Sequence, residues 1–230
     1  MVRPIMHGLC TPQREGHGAN VGADVVVGED GLGRCGWGTA TQEYQAYHDG
    51  EWGRPVGDDD RVYEKLCLEG FQAGLSWLTI LRKRDAFRRA FASFDPRVVA
   101  NFVDADVIRL LGDPGIVRHR AKILAAVTNA KATLALRDRG ASLAELVWRY
   151  RPEKERAPKR ASDVPPSTPE SAALSKMLRD LGFVFVGPTT VYAAMQSLGV
   201  VNDHLVRCRW RALAEDERAA FSAPSQPSLA

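Results

Sequence analysis

Hydrophobic residues recur every three or four positions along most of the chain, and this spacing predicts amphipathic helices. One helix is predicted to open at Asp58-Asp59-Asp60, because acidic side chains favour a helix N-terminus, and to run through Val62 and Leu66 to a break at Gly74. Ser76 is predicted to cap the next helix, since its hydroxyl can accept a hydrogen bond from a free amide of the first turn.

The same spacing continues towards the C-terminus. Short helices are predicted to start at Asp95-Pro96 and at Asp104, and a long one carries Ile123 and Val127 on its apolar face. No strand-rich segment competes with these helices, so the predicted fold class is all-α. The remaining predicted helices cover residues 143–150, 171–181 and 189–198.

Two segments are distinguished by composition. Residues 1–33 are Gly-rich and without periodicity, and we interpret them as a disordered leader, so that order is predicted to begin at Arg34. Residues 151–169 are charged and Pro-rich, which is typical of a flexible loop.

Overall composition narrows the class of protein only slightly. An apolar fraction of 45% and a charged fraction of 26% are typical of a soluble globular protein. The net charge of +3 permits a nucleic-acid partner without requiring one. No apolar run reaches membrane-spanning length, so we expect a cytoplasmic protein with no membrane contact. In that compartment the four cysteines favour metal ligation over disulfides.

The stretch from Leu68 to Trp77 combines a carboxylate, an amide and two glycines with an indole. Glu69 and Trp77 can bracket a flat polar ligand, because an indole face stacks while a carboxylate accepts from an amine. The alternative is a helix-helix corner, in which Gly74 breaks the helix and Trp77 is buried in the core. These ten residues alone leave both interpretations open.

A metal site is a second hypothesis. His204 and Cys208 are four residues apart, so on a helix both side chains would reach one point and form half a zinc site. Cys35 and His48 can supply the other half, although a buried cysteine is commonly only a small hydrophobe. Four protein ligands would make the zinc structural and would join the two ends of the domain.

A helix, a tight Gly/Pro hairpin and a second helix with a basic start are predicted between Leu110 and Ile123. Free amides and a helix N-terminus suit a phosphate at such a hairpin, although a plain connector can look the same. The predicted helix after Ser76 also carries a basic face, which is more often solvated than bound. The basic residues of that face are Arg82, Lys83, Arg84, Arg88 and Arg89.

Taken together, these motifs occur in a fixed order that resembles one family, the type I 3-methyladenine DNA glycosylases of the helix-hairpin-helix superfamily. The resemblance covers roughly residues 34 to 208, which it implies form the domain, and it leaves residues 209–230 as a C-terminal tail. The motifs that carry it are Cys-Gly-Trp at 35–37, Tyr-x-x-Tyr-His-Asp at 44–49, Glu-Trp-Gly at 51–53, Leu-Glu-Gly-Phe-Gln-Ala-Gly-Leu-Ser-Trp at 68–77, Gly-Ile-Val-Arg-His-Arg-Ala-Lys-Ile at 115–123 and Val-Asn-Asp-His at 201–204.

The resemblance implies a role for each motif. It implies a base pocket in which Glu69, the catalytic candidate, recognises the base and Trp77 stacks on it. Gly74 and Leu75 match the loop that enters DNA at the lesion. The further matching positions are Tyr44, Tyr47 and Trp52 for the pocket, Gly115, Arg118 and Arg120 for the phosphate-binding hairpin, and Cys35, His48, His204 and Cys208 for a structural zinc.

The implied activity is base-excision repair. The enzyme would flip 3-methyladenine out of double-stranded DNA, release it hydrolytically as a free base, and act as a monomer. Asp138 lies in a solvated Arg-Asp-Arg-Gly run and receives no catalytic role. The rival hypotheses are a zinc-stapled DNA-binding module without activity, and a zinc hydrolase, which would need an open coordination position and has no His-Glu-x-x-His motif here.

Overall fold

The computed structural model describes residues 24–222, which fold into ten α-helices and one small antiparallel sheet. The strands are β1 (Val25–Val27) and β2 (Gly33–Cys35). The helices are α1 (Gln42–Gly50), α2 (Asp59–Gln72), α3 (Trp77–Ala90), α4 (Pro96–Val99), α5 (Asp104–Gly112), α6 (Arg120–Asp138), α7 (Leu143–Trp148), α8 (Pro169–Asp180), α9 (Pro188–Ser197) and α10 (Arg209–Ala220).

Most of the predicted helix starts are confirmed by hydrogen bonds of the capping side chains. The Asp58 side chain accepts from the Arg61 amide and the Ser76 side chain from the Thr79 amide, as an N-cap requires. The helix predicted to start at Asp104 does start there, but the expectation that Asp104 caps it is wrong, because Val103 occupies the N-cap position. The acidic residue therefore faces the positive end of the helix dipole without capping it.

Both ends of the predicted domain need correction. Residues 24–33, assigned above to a disordered leader, contain β1 and its turn, with Val25 paired to Cys35. Three successive valines favour a strand, and Gly31 adopts the positive φ of +73° that the turn needs. Residues 1–23 of that predicted leader lie outside the described residues.

The predicted C-terminal tail contains a helix up to Ala220, and residues 223–230 lie outside the described residues. Arg218 of α10 is buried, pairs with Glu155 and donates to the Val200 carbonyl at 2.9 Å. Glu155 also accepts from the Asn202 amide at 3.0 Å. These contacts attach both α10 and the predicted flexible loop to the body of the protein.

Helix α2 passes through the middle of the core. All residues from Val62 to Phe71 are buried, polar ones included, and α2 contacts α3, α6, α7 and α9. Phe71 at its end packs on Phe87, with ring centroids 4.6 Å apart. Any charged side chain near the end of α2 is therefore placed inside the protein. In residues 24–222 no helix is long and apolar enough to cross a membrane.

Candidate active site and metal centre

Glu69 lies on the last full turn of α2 and is only 5% exposed. Within the described chain, no hydrogen bond or ion pair of 4.0 Å or less reaches its carboxylate. Burial raises its pKa to about 8, and the positive charge of Lys65, one turn earlier, offsets only part of that rise. Ionisation of a buried carboxyl group without a counter-charge is unfavourable. A cation that binds next to Glu69 would supply that counter-charge and would itself be stabilised.

Lys65 is not the missing partner of Glu69, because its own charge is already paired. Its Nζ donates to Glu51 Oε1 at 2.8 Å, and Arg84 Nη1 donates to Glu51 Oε2 at 2.6 Å. Burial alone would raise the pKa of Glu51, but the charges of Lys65 and Arg84 lower it to about 2. No local pattern in the sequence marks Lys65 and Glu51 as a pair, since their contact joins residues from different elements.

Aromatic residues of the predicted pocket pack between α1 and α3. Trp77 begins α3 directly after the Ser76 cap and is 5% exposed. The centroids of Trp77 and Tyr47 are 5.4 Å apart with their planes tilted by 45°, and the Tyr44 hydroxyl accepts from the Leu78 amide at 3.0 Å. The structure thus brings together the predicted pocket residues of α1 and α3, and the sharing of one pocket with Glu69 stays a prediction.

The indole N–H of Trp77 is buried and has no hydrogen-bond partner within the described residues. An unpaired buried donor costs free energy, so such groups are rare and require an explanation. An unpaired donor at Trp77 and an unpaired acceptor at Glu69 are complementary to a small planar ligand that carries both kinds of group. This chemistry favours a binding site over a plain helix-helix corner.

Trp52 lies towards the predicted metal ligands. Its ring is 4.7 Å from that of His204, 4.9 Å from that of Trp37 and 6.3 Å from that of His48. Trp37 in turn contacts Tyr44, with centroids 5.8 Å apart. The two tryptophans form a continuous aromatic layer from the predicted pocket to the predicted metal ligands, and contact of Trp52 with a base stays a prediction.

Cys35, His48, His204 and Cys208 form one buried cluster, with a ligand atom from each residue within 4.8 Å of the others. Cys208 Sγ lies 3.5 Å from both His48 Nε2 and His204 Nδ1, and Cys35 Sγ lies 3.9 Å from His204 Nδ1. A tetrahedral zinc with ordinary bond lengths would separate a sulfur and a nitrogen ligand by about 3.5 Å. The donor set therefore fits a closed tetrahedral zinc site.

The surroundings hold each ligand in the orientation that a metal needs. His48 Nδ1 contacts Asp49 Oδ1 at 2.7 Å and His204 Nε2 contacts the Trp52 carbonyl at 3.1 Å, which leaves the other ring nitrogens directed at the cluster. The Leu205 amide donates to Cys35 Sγ at 3.3 Å. Burial lowers the pKa of His204, so its imidazole is neutral, as ligation requires.

The local structure around the last two ligands differs from the prediction. His204 and Cys208 do not share a helix, because α10 begins only at Arg209. They lie on a turn in which the Cys208 amide donates to the Leu205 carbonyl at 2.8 Å. A turn brings residues four apart together as effectively as a helix does.

The predicted DNA-contacting loop is the link between α2 and α3. Gly74 has a φ of +81°, a conformation that favours glycine, and Leu75 is 43% exposed. Lys122, which no local sequence pattern marks as functional, is buried at the start of α6 and holds the end of α2. Its Nζ donates to the carbonyls of Phe71 at 2.9 Å and Ala73 at 2.5 Å.

The predicted hairpin corresponds to the link between α5 and α6, in which the Ile116 amide donates to the Asp113 carbonyl. Arg118 and Arg120 are exposed and line a shallow concavity together with His119. The Gly115 amide is already used, since it donates to Asp113 Oδ1 at 2.7 Å. Gly115 therefore shapes the turn, and contact of its amide with a phosphate is not supported.

The basic face of α3 is largely paired within the chain. Arg82 pairs with Glu43, Arg84 with Glu51, and Arg88 with Glu64. Lys83 donates to the carbonyl of Pro114 in the hairpin at 2.7 Å. These side chains connect α3 to its neighbours, and the hairpin is held from the α3 side by one of them.

Comparison with known proteins identifies the family. A family model described as methyladenine glycosylase matches residues 37–212. DNA-3-methyladenine glycosylase 1 of Escherichia coli (strain K12) is 47% identical over 178 residues, covering 76% of this chain and 95% of the relative. DNA-3-methyladenine glycosylase of Haemophilus influenzae is 46% identical, covering 76% of this chain and 96% of the relative.

Solved structures agree with the sequence matches. A crystal structure of 3-methyladenine DNA glycosylase I has a TM-score of 0.74 at 46% identity, covering 76% of this chain and 98% of the other. The enzyme from Staphylococcus aureus, studied for its recognition of 3-methyladenine, has a TM-score of 0.72 at 37% identity, covering 76% and 94%. The protein is thus an enzyme of the glycosylase class. It belongs to the methyladenine glycosylase family.

Proposed function

We propose that the protein removes 3-methyladenine from alkylated DNA by flipping the base out of the duplex and hydrolysing its glycosidic bond. The observation that carries this proposal is a buried Glu69 carboxyl whose pKa burial raises, together with a buried indole N–H of Trp77 that has no hydrogen-bond partner. The relatives named DNA-3-methyladenine glycosylase support the substrate. A base inside a duplex cannot reach such a buried site, so it must leave the stack.

Selectivity follows from charge. Adenine methylated at N3 in DNA is a cation, whereas unmodified adenine is neutral. A cation beside Glu69 supplies the counter-charge that the buried carboxylate lacks, and the faces of Trp77 and the neighbouring tyrosines attract it as well. Glu69 can therefore ionise when the methylated base binds, and it stays protonated and less attractive towards ordinary adenine.

The methylated base is also a good leaving group, because cleavage of the glycosidic bond neutralises its charge. The enzyme consequently needs little acid catalysis, and it can act by holding the extruded nucleotide and admitting water to the sugar. In this proposal Glu69 recognises the base, and its carboxylate also stabilises the positive charge present during cleavage. The free base would leave as product.

We further propose that the cluster of two cysteines and two histidines holds a structural zinc. Its four ligands would fill a tetrahedral shell and leave no position for water or substrate. The bound ion would fasten β2 and α1 to the segment before α10, which fixes the aromatic layer of Trp37 and Trp52 behind the pocket. This arrangement argues against a zinc hydrolase.

The DNA is proposed to contact the α2–α3 link and the α5–α6 hairpin. Leu75 is exposed at the tip of the link, where it can fill the space that the extruded base leaves. Arg118 and Arg120 are free to contact phosphates, which position a duplex without reading its sequence. A binding module without activity would share these contacts, but it gives no reason for the unpaired groups at Glu69 and Trp77.

The proposal can be tested with two matched variants of buried glutamates. Glu69→Gln keeps the shape of the side chain and removes its charge, whereas Glu145→Gln makes the same change on α7. Single-turnover release of 3-methyladenine from methylated DNA is expected to fall at least tenfold in the first variant and to stay within twofold in the second. Equal rates for wild type and Glu69→Gln would remove Glu69 from the site.

A further inference from the structure

Phe185, between α8 and α9, combines two unusual features. Its φ is +56°, in the left-handed region that a bulky side chain rarely adopts, and its side chain remains 41% exposed. The flanking residues Phe183 and Val186 are buried and supply the packing of this segment. The core therefore gives no reason for an aromatic ring at position 185, where glycine would suit the backbone better.

The strained conformation is fixed from both sides. Asn129 of α6 is 2% exposed, and its amide binds the backbone of Val184 twice, accepting from the N–H at 2.8 Å and donating to the C=O at 3.1 Å. On the other side, the Ser175 hydroxyl donates to the Val186 carbonyl at 2.6 Å. Backbone strain that surrounding contacts enforce in this way is concentrated at functional positions in proteins.

The ring lies beside the elements proposed to contact DNA. Phe185 faces Gly70, where a Cβ would come within 3.4 Å of the Phe185 Cβ, and Gly70 directly follows Glu69. A small cavity between α2 and α6 is lined by Gly70, Phe185 and Lys122. Lys122 in turn holds the carbonyl of Ala73, immediately before the exposed Leu75 link. The ring therefore borders both the pocket helix and the hairpin helix.

We propose that Phe185 is a DNA-contacting residue that packs on the lesion-bearing strand where the flipped nucleotide leaves the duplex. This inference rests on the proposed function. Extrusion exposes the deoxyribose and the neighbouring base face, which are apolar enough to shed water against a phenyl ring. The contact is formed only with opened DNA, so it favours the damaged site over intact duplex. The side chain of Phe185 is 41% exposed, so it is accessible to such a contact.

The test compares three variants of the full-length protein. Phe185→Gly removes the ring and relieves the backbone, Phe185→Trp keeps an aromatic ring, and Met177→Ala removes an equally exposed apolar side chain from α8. Binding is measured by fluorescence anisotropy on a duplex with a tetrahydrofuran abasic analogue and on the matching undamaged duplex. Thermal unfolding and binding of free 3-methyladenine are measured alongside.

We expect Phe185→Gly to weaken binding to the abasic duplex about tenfold, as loss of one aromatic stacking contact does. Phe185→Gly should bind undamaged DNA and free 3-methyladenine as tightly as wild type, and its thermal stability should not decrease. Phe185→Trp and Met177→Ala should resemble wild type in every measurement. Unchanged binding of Phe185→Gly to the abasic duplex, or an equal loss on both duplexes, overturns the inference. Absence of base release by the wild type would count against the proposed function itself, which separates the two failures.

Discussion

The raised pKa of Glu69 predicts a specific dependence of stability on pH. The pKa is about 8 in the folded protein, because burial disfavours the charge, against an ordinary value of 4.5. Between these values the unfolded chain is ionised while the native carboxyl stays protonated. The contribution to stability is therefore full below about pH 4.5 and is lost as the pH rises towards 8.

The expected magnitude is large enough to measure. Each pH unit in this window corresponds to about 1.4 kcal/mol, so at pH 7 the wild type should have lost about 3 kcal/mol relative to pH 4.5 through this one group. Glu69→Gln does not titrate. The free energy of unfolding of Glu69→Gln minus that of the wild type should therefore increase steadily between about pH 5 and 8.

Urea unfolding at matched zinc occupancy measures this difference. Titration of the metal ligands affects both proteins alike, so it cancels when the variant and the wild type are compared at the same pH. Glu145→Gln serves as the control. Its free energy of unfolding should not rise relative to that of the wild type between about pH 5 and 8. A difference between Glu69→Gln and wild type that is the same at every pH would refute the inference that Glu69 is held protonated.

In the proposed function, the pKa of Glu69 also governs the rate of base release. Only the ionised carboxylate attracts the cationic base, and below pH 8 its formation in the free enzyme costs free energy. The second-order rate constant for base release should therefore rise with pH and level off near pH 8, and the rise should be absent in Glu69→Gln. A wild-type rate that is flat over this range would show that ionisation of Glu69 does not limit recognition.

Three further changes test the surrounding framework. Cys208→Ser should abolish zinc retention, measured by elemental analysis after dialysis, and lower the thermal midpoint more than it lowers the chemical rate at low temperature. Gly38→Ala should weaken zinc retention indirectly, because the added Cβ would lie 2.7 Å from His48 Cγ; retention equal to wild type would show that the ring can move freely. Lys122→Met should lower the free energy of unfolding by about 1–3 kcal/mol, since a buried ammonium no longer binds two carbonyls, and should increase proteolytic cleavage next to Leu75.

Local signals in the sequence predicted much of the helical fold. Asp58 and Ser76 stand where an N-cap is needed, and the helices that follow begin where their side chains indicate. Local signals also explain two errors. The many glycines near the N-terminus concealed three valines that form β1, and the four-residue spacing of His204 and Cys208 fits a turn as well as it fits a helix.

The remaining features depend on contacts between distant segments. Lys122 holds carbonyls 49 and 51 residues away, and no local pattern marks such a pairing. The strain at Phe185 is imposed by Asn129 from another helix, at a residue whose own preference is against it. The raised pKa of Glu69 likewise follows from the depth of α2 in the core, which periodicity alone does not reveal.

Product analysis on methylated DNA tests the central claim most directly. Purified protein is incubated with DNA that carries both 3-methyladenine and 7-methylguanine, and the bases released are separated by chromatography. If the protein is a 3-methyladenine glycosylase, we expect release of 3-methyladenine while 7-methylguanine stays in the DNA. Binding to the DNA with no base released would contradict it and would leave Glu69 and Trp77 as parts of the core.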